Sequence, residues 1–432
     1  MRKIFTNESV LQNCKIFRML EKQSQNPHLS FHTPGHKQSG FDITELSYSD
    51  NLSCPRGCIA EAEKDITALL GSAKSFILTD GSTCGVLSMF HAARALGMKK
   101  VAVCEGSHKS VFNACALLGL TPLLYPVKKR GNIPYLPTVY ALKTEYAELF
   151  EQADGVFLTS PDYYGNVADM SAWRQYCDET GKLLLVDGAH GGHLRFDKTL
   201  HAGGYADFWV DGVHKSLPAL TQGAVVSART AEGSEKLRAA VDIFRTTSPS
   251  YPIMAAVEYA VKYPRNVWLE ASVQTYAEMQ PRVVLREDWT KLYARFGKAA
   301  FAVEKQLEEK GIYPEFCDGN GILFYLSPAT SKADWEKLVA TLEVLFATTP
   351  LDEETVEEVS VLQTSGEKEW IALDEAEGRL CAGLCGLFPP CTPLFTVGER
   401  ITAQKIELLK NADNVFGITE NKILVWKEKR EE

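Results

Sequence analysis

The sequence predicts an α/β protein with a large domain built on a mostly parallel sheet and a smaller C-terminal α/β domain. Two observations carry this. Between residues 72 and 228 the short apolar runs SFILTD, KVAVCEG, TPLLYPV, GVFLTS, KLLLVDG, DFWVDG and GAVVSA alternate with amphipathic stretches, the pattern of strand–helix–strand units whose sheet is covered by helices on both faces. After residue 230 the texture turns helical, and TYAEMQPRVVLREDWTKLYARFGKAAFAVEKQLEEKG (275–311) carries apolar residues at three- and four-residue spacing, which predicts helix. A strand GILFYLS (321–327) and a helix SKADWEKLVATLEVLFATT (331–349) predict the second unit, with a boundary near 275–290.

Composition narrows the function classes. The 46 basic and 55 acidic residues leave a net charge of −9 and form no basic stripe, which argues against nucleic acid as a partner. The N-terminus MRKIFTNESVLQNCKIF has no apolar core of a signal peptide, and no run reaches the roughly 18 apolar residues of a membrane span. A soluble cytoplasmic protein with no membrane partner is expected. The 11 cysteines are odd in number and mostly sit in apolar runs, as buried reduced thiols do. Cys54/Cys58 and Cys381/Cys385, with Cys391 nearby, lack the spacing of a zinc site, and no metal is expected.

Three strand ends carry the chemistry. ILTDGSTCGVL places Ser82 and Thr83 where a strand turns into a helix, and free N–H groups, a positive dipole end and two hydroxyls suit a phosphate, although the same residues also suit an ordinary N-cap. KLLLVDGAHGGH ends a very apolar strand at Asp187, and a carboxylate buried there needs a partner. Metal binding by Asp187, His190 and His193 is the weaker reading of that stretch. DFWVDG then runs into a second copy of the tripeptide His108-Lys109-Ser110, at His214-Lys215-Ser216. A phosphate site, an acid and a lysine at strand ends of one sheet, in that order, fit pyridoxal 5'-phosphate: the acid pairs the pyridine nitrogen and Lys215 forms the Schiff base. His108, after VAVCEGS, would lay its imidazole over the ring.

These residues also carry a family resemblance. SFHTPGHKQSG (30–40), DITEL (42–46), DNL (50–52), GSHKSV, HKSLPALTQG and GRLCAGLCGLFPPCTPLFTVGE (378–399) resemble, in order, motifs of the Orn/Lys/Arg decarboxylase family of fold-type-I pyridoxal-phosphate enzymes. The resemblance implies the aspartate aminotransferase-like fold, with an arm over 1–50, a cofactor-binding large domain over 51–285 and a small domain over 286–432. It implies phosphate contacts from Ser82, Thr83 and His214, stacking by His108, a ring-nitrogen partner in Asp187, packing of Ala189 on the opposite face, and Lys215 as the covalent lysine. His190 becomes a candidate for contact with the substrate carboxylate or the ring hydroxyl, and TSPDYYG (159–165) would line the pocket. HTPGHK would be an arm packed near the site. The implied partners are a small amino-acid substrate and a second copy of the chain, in a homodimer or larger homo-oligomer.

The motifs also depart from the family pattern. Gly212-Val213 stands where Ser-Thr is usual, Gly188 follows Asp187 in place of glutamate, Asp162 replaces a threonine, and Gly383 and Cys391 alter the C-terminal motif. Loss of a hydroxyl at 212 predicts that Gly212→Ser would tighten cofactor binding. His193 receives no role. The acids Asp42, Glu45, Asp162 and Glu399 are unranked candidates for reading a substrate's distal cation. Decarboxylation of a basic amino acid is the leading expectation; transamination or elimination on the same cofactor, and a non-catalytic relative, are the alternatives.

Overall fold

The structure, a computed structural model, describes residues 4–26, 29–37, 40–130, 133–351, 366–383, 385–387, 393–395, 398–412 and 414–427. All seven apolar runs become strands of one sheet: β1 (Lys74–Leu78), β2 (Lys100–Cys104), β3 (Thr121–Tyr125), β4 (Gly155–Thr159), β5 (Leu183–Gly188), β6 (Phe208–Asp211) and β7 (Ala224–Ala228). Their order across the sheet is β1-β7-β6-β5-β4-β2-β3. The pairs β2/β3, β2/β4, β4/β5 and β5/β6 are parallel. Only β7 runs against its neighbours β6 and β1, so β1 points the same way as the parallel strands.

Successive side chains of a strand face opposite sides, and both sides of this sheet are dry. In β5, Leu184 and Val186 enter one core with the helices Cys58–Leu70, Met170–Thr180 and Tyr251–Lys262. Leu185 enters the other, under α1 (Gly81–Ala95) and the helix Ala231–Phe244. Local signals set the connections: Asp169 caps the helix Met170–Thr180 by accepting from the Ala172 N–H, and Gly181, at φ 67°, releases the chain into β5. The chain leaves β2 toward the outer strand β3 and leaves β4 in the opposite direction. The crevice over these carboxyl ends is a topological switch point, where sheets of this type bind ligands.

The N-terminal helix Lys15–Ser24 buries Ile16, Phe17 and Leu20 in the first core. Fully buried Glu258 accepts from the N–H groups of Lys15 (2.7 Å) and Ile16 (2.8 Å) and pairs with Lys262 at 2.7 Å, so its carboxylate is satisfied by a helix N-terminus and a cation together. By contrast Phe31, in the HTPGHK region, is 93% exposed on the single chain.

The helical expectation for 275–311 is corrected. The helix Val267–Met279 stops ahead of Pro281, and the chain forms the strands β8 (Val283–Leu285) and β9 (Lys291–Arg295) before a helix resumes at Ala300–Glu309. Pro281 cannot continue a helix, and both short runs find antiparallel partners: β8 pairs β9, and β9 pairs β11 (Gly321–Tyr325), which also pairs β10 (Phe316–Cys317). Tertiary pairing overrides the local period here. A separate core containing Leu292, Ile322 and Leu342 lies between this sheet and its helices. The predicted strand at 321–327 and helix at 331–349 form at Gly321–Tyr325 and Lys332–Thr348.

Residues 366–427 add two small antiparallel sheets, one built on Lys368–Ala372 and Lys422–Trp426 and one on Cys385–Leu387. Cys391 lies outside the described residues. The cysteines that are described are free thiols, most of them buried. No described helix is long and apolar enough to cross a membrane.

Candidate active site

The strand ends at the switch point bring most of the singled-out side chains together. β6 ends at Asp211, Gly212 turns the chain, and the short helix α3 (Val213–Ser216) carries Lys215. Its Nζ lies 3.1 Å from Nε2 of His190, which follows β5 on the neighbouring strand. Asp187, at the end of β5, is 4% exposed, and the turn after it is fixed by the Ala189 N–H donating to Oδ1 at 2.9 Å.

His190 is 7% exposed. Burial holds its pKa well below the usual imidazole range, and the nearby cations Lys215 and Lys291 push the same way. A neutral ring beside an ammonium accepts at Nε2, which leaves the proton on Nδ1, a buried atom with no protein partner. The rings of Tyr163 and Tyr325 meet His190 edge-on, with centroids 5.1 and 5.5 Å away.

His108 is the N-cap of α2 (Lys109–Leu118): its Nδ1 accepts from the Ser110 N–H at 3.2 Å and meets Ser110 Oγ at 2.8 Å. The cap fixes the ring. Burial lowers its pKa, the Asp187 carboxylate raises it and Lys215 lowers it again, so the three groups share one electrostatic neighbourhood.

The N-terminus of α1 opens on the same edge. Gly81, at φ 75°, donates its N–H to Gln222 O, and Asp80 makes no cap bond, turning instead toward the Thr246 N–H. Ser82 Oγ is buried with no partner. His214 brings Nδ1 to 2.9 Å from the Gly223 carbonyl, so this nitrogen is the donor. Burial lowers its pKa, which leaves a lone pair at Nε2 when the ring is neutral. Ala189 is buried beside these groups, whereas Thr83 lies exposed on the first turn of α1.

Gly212 is explained by contact. A Cβ there would sit 2.5 Å from the Ala189 carbonyl oxygen and 2.6 Å from Ser82 Oγ. The expectation that Gly212→Ser tightens the cofactor site is therefore corrected: there is no room for the side chain, and Ser82 already fills the position with a hydroxyl.

Three more polar groups had no individual role in the sequence reading, although Thr159 opens the TSPDYYG stretch expected to line the pocket. Ser107 and Ser216 flank the two His-Lys pairs, and Thr159 ends β4 in register with Asp187; the oxygens Ser107 Oγ, Thr159 Oγ1 and Ser216 Oγ are all buried without a partner. The signal was a hydroxyl residue at a strand end or beside each lysine. Buried polar groups are nearly always bonded, so Ser82 Oγ, Thr159 Oγ1 and His190 Nδ1 fit a polar ligand at this edge. An unfilled hydroxyl on the helix N-terminus after β1, a buried carboxylate three strands over on β5 and a lysine between them after β6 suit the phosphate, ring nitrogen and aldehyde of pyridoxal 5'-phosphate.

Other sequence candidates have different uses. Asp187, His190 and His193 do not converge: His193 is 1% exposed and binds Asp288 Oδ1 at 2.7 Å. Among the described residues no group of three His, Cys, Asp or Glu side chains is arranged to hold a metal. Asp162 is wrapped by its own loop, accepting from the Tyr164 and Asn166 N–H groups and the Asn166 amide; burial raises its pKa to about 6. Glu399 pairs with Lys405, Asp42 with His36, and Glu45 accepts from Thr44.

Comparisons agree with this architecture. The family model described as Orn/Lys/Arg decarboxylase, major domain, matches residues 39–289. The chain is 28% identical to the uncharacterized protein YaaO of Bacillus subtilis, over 92% of this chain and 94% of that one. It is 26% identical to an arginine decarboxylase of the same organism, over 92% and 93%. The constitutive lysine decarboxylase of E. coli superposes with a TM-score of 0.70 at 18% identity, covering 96% of this chain and 82% of the other. The fold is thus that of the fold-type-I pyridoxal-phosphate enzymes. With its major domain matched over residues 39–289, a span that includes both His-Lys-Ser copies, the chain belongs to the Orn/Lys/Arg decarboxylase family.

Proposed function

We propose that the protein is a pyridoxal-phosphate-dependent decarboxylase of a basic amino acid of the lysine, ornithine or arginine class, working as a cytoplasmic homodimer. The observation that carries this reading is the 3.1 Å approach of Lys215 Nζ to His190 Nε2 beside the buried Asp187, within the major domain of this family. Pyridoxal 5'-phosphate, when bound, supplies an aldehyde for covalent attachment and a protonated ring that accepts the electron pair left at Cα as CO2 departs.

The chain's own groups divide the remaining work. Lys215 is the attachment amine, and neutral His190 accepts its proton at Nε2. Asp187, a buried carboxylate acting in low dielectric, would pair the ring nitrogen and keep it protonated. Ser82 and the α1 N-terminus bind the phosphate. His214, whose Nδ1 is committed to Gly223, takes up a proton at Nε2 when it meets a phosphate dianion. His108, held by its cap, would stack on the cofactor ring, and Ala189 would pack against it. His190, beside the amine, is also placed to return a proton to Cα.

The test is an assay of amine and CO2 across an amino-acid panel with added cofactor. Equal amounts of CO2 and amine from lysine, ornithine or arginine are expected. A keto acid without CO2 would move the reading to transamination, and no product from any amino acid would make the chain a non-catalytic relative.

A further inference from the structure

Lys291 is a fully buried cation that the chemistry above does not use. It opens β9, in the sheet whose sequence pattern pointed to a helix, and reaches back to the large sheet. Its Nζ lies 3.0 Å from Asp288 Oδ2, donates to Thr290 Oγ1 at 2.8 Å and to the His190 carbonyl at 3.4 Å, and stands 4.3 Å from the centre of the Tyr325 ring. Asp288 is equally buried, and its Oδ1 takes His193 Nε2 at 2.7 Å and the Thr290 N–H at 2.9 Å. Both ends of the turn His190–His193 are thus tied to β9 and the residues before it. A third loop joins: Asp288 N donates to Gly165 O at 3.0 Å, and a Cβ on Gly165 would come within 2.9 Å of Lys291 Cβ.

A buried ammonium–carboxylate pair is a poor way to gain stability, because desolvation offsets most of the attraction and apolar residues of similar volume do as well. What this pair does that apolar residues would not is grip a particular carbonyl, that of the residue whose imidazole touches Lys215. We infer that Lys291, held by Asp288, is a positioning residue that fixes His190 against the amine of Lys215. The groups facing the His190 ring are Lys215 and His214 from α3, His108 from α2, Lys291 from β9, and the rings of Tyr163 and Tyr325. Lys291 and Tyr325 approach from outside the large sheet, and of these two Lys291 is the cation.

The inference rests on Lys215 being the cofactor lysine, and its test reads His190 without cofactor or substrate. In the cofactor-free protein with isotope-labelled histidine, the His190 resonance is assigned by its loss in His190→Asn and titrated with pH. Lys291→Met removes the cation, and Asp288→Asn/Lys291→Met also removes the carboxylate that the single change leaves unpaired. The folded single variant should raise the His190 titration by about one pH unit, a like charge having been removed, and the double variant should raise it less, because the carboxylate leaves with the cation. Capture of added pyridoxal 5'-phosphate by Lys215, followed by absorbance, should slow about tenfold as the imidazole loses its place. A folded double variant with wild-type His190 titration and wild-type capture rate would overturn the inference. Inactivity toward every amino acid with both readouts shifted would instead count against the decarboxylase reading alone.

Discussion

The two His-Lys-Ser tripeptides are identical in sequence and differ in where they put the lysine. Each follows a strand through an acid and a glycine, Glu105-Gly106 after β2 and Asp211-Gly212 after β6. In the first copy His108 is the N-cap, so Lys109 is the first residue of α2 and is exposed. In the second the helix starts earlier, at Val213, so Lys215 is its third residue and meets His190. A two-residue offset turns a side chain by about 200° around a helix. The position of the helix start, rather than the tripeptide, decides which lysine faces the site.

The comparison is broken most severely by exchanging the lysines' fates. Lys215→Ala should abolish covalent cofactor capture and lower turnover by about four orders of magnitude, about 5.4 kcal/mol of barrier. Lys109→Ala should leave both near wild type. Absorbance of the bound cofactor and a CO2 assay check this.

Next in size is Asp187→Asn. The amide keeps the shape but cannot hold a ring proton, and a loss of about a hundredfold or more, about 2.7 kcal/mol, is expected in turnover with cofactor still bound. A near-normal rate would mean that Asp187 does not face the ring nitrogen.

The glycines sharpen the contrast. A Cβ at Gly106 meets only Val127 Cγ2, at 2.5 Å, whereas one at Gly212 meets the Ala189 backbone oxygen at the same 2.5 Å. A valine can rotate; a carbonyl held in a turn cannot. Gly212→Ser should destabilise the protein by about 1–3 kcal/mol in chemical denaturation and weaken cofactor binding, and Gly106→Ala should cost less than about 1 kcal/mol.

His108 is the N-cap of α2 and, in the proposed function, the residue that would stack on the cofactor; a variant can separate the two. His108→Ala should lose about 1 kcal/mol of stability with the cap and a further 0.5–1.5 kcal/mol or so of cofactor affinity with the ring. His108→Asn, itself a good cap, should restore the stability and not the affinity.

The smallest effect is in pH. Burial places the folded pKa of His190 below its unfolded value, so the unfolded chain takes the proton first. His190 then favours folding fully above about pH 6.5, and roughly 1 kcal/mol is lost as pH falls from 6.5 to 5.5. Denaturation midpoints of the cofactor-free protein should fall over that range, less so in His190→Asn.

The parallel sheet and its strand ends were legible because each strand is a short apolar run closed by a turn residue, and Asp187 and Lys215 stand at such closures. What escaped depended on contacts distant in sequence. β8 and β9 have apolar spacings that fit a helix, and only their pairing with each other and of β9 with β11, about 30 residues on, makes them strands. Gly212 looked like a lost hydroxyl because the neighbour that excludes a side chain, Ala189, lies in the turn after another strand. His193 was passed over since its partner Asp288 is 95 residues away. Lys291 sat in a stretch that gave no hint of burial.

The most direct test of the account is borohydride reduction of the protein loaded with pyridoxal 5'-phosphate, followed by peptide mapping. The account predicts a single pyridoxyl group on Lys215, in the peptide containing HKSLPALTQG. A pyridoxyl group on Lys109 would contradict it, since the lysine turned outward by its helix start would then be the reactive one.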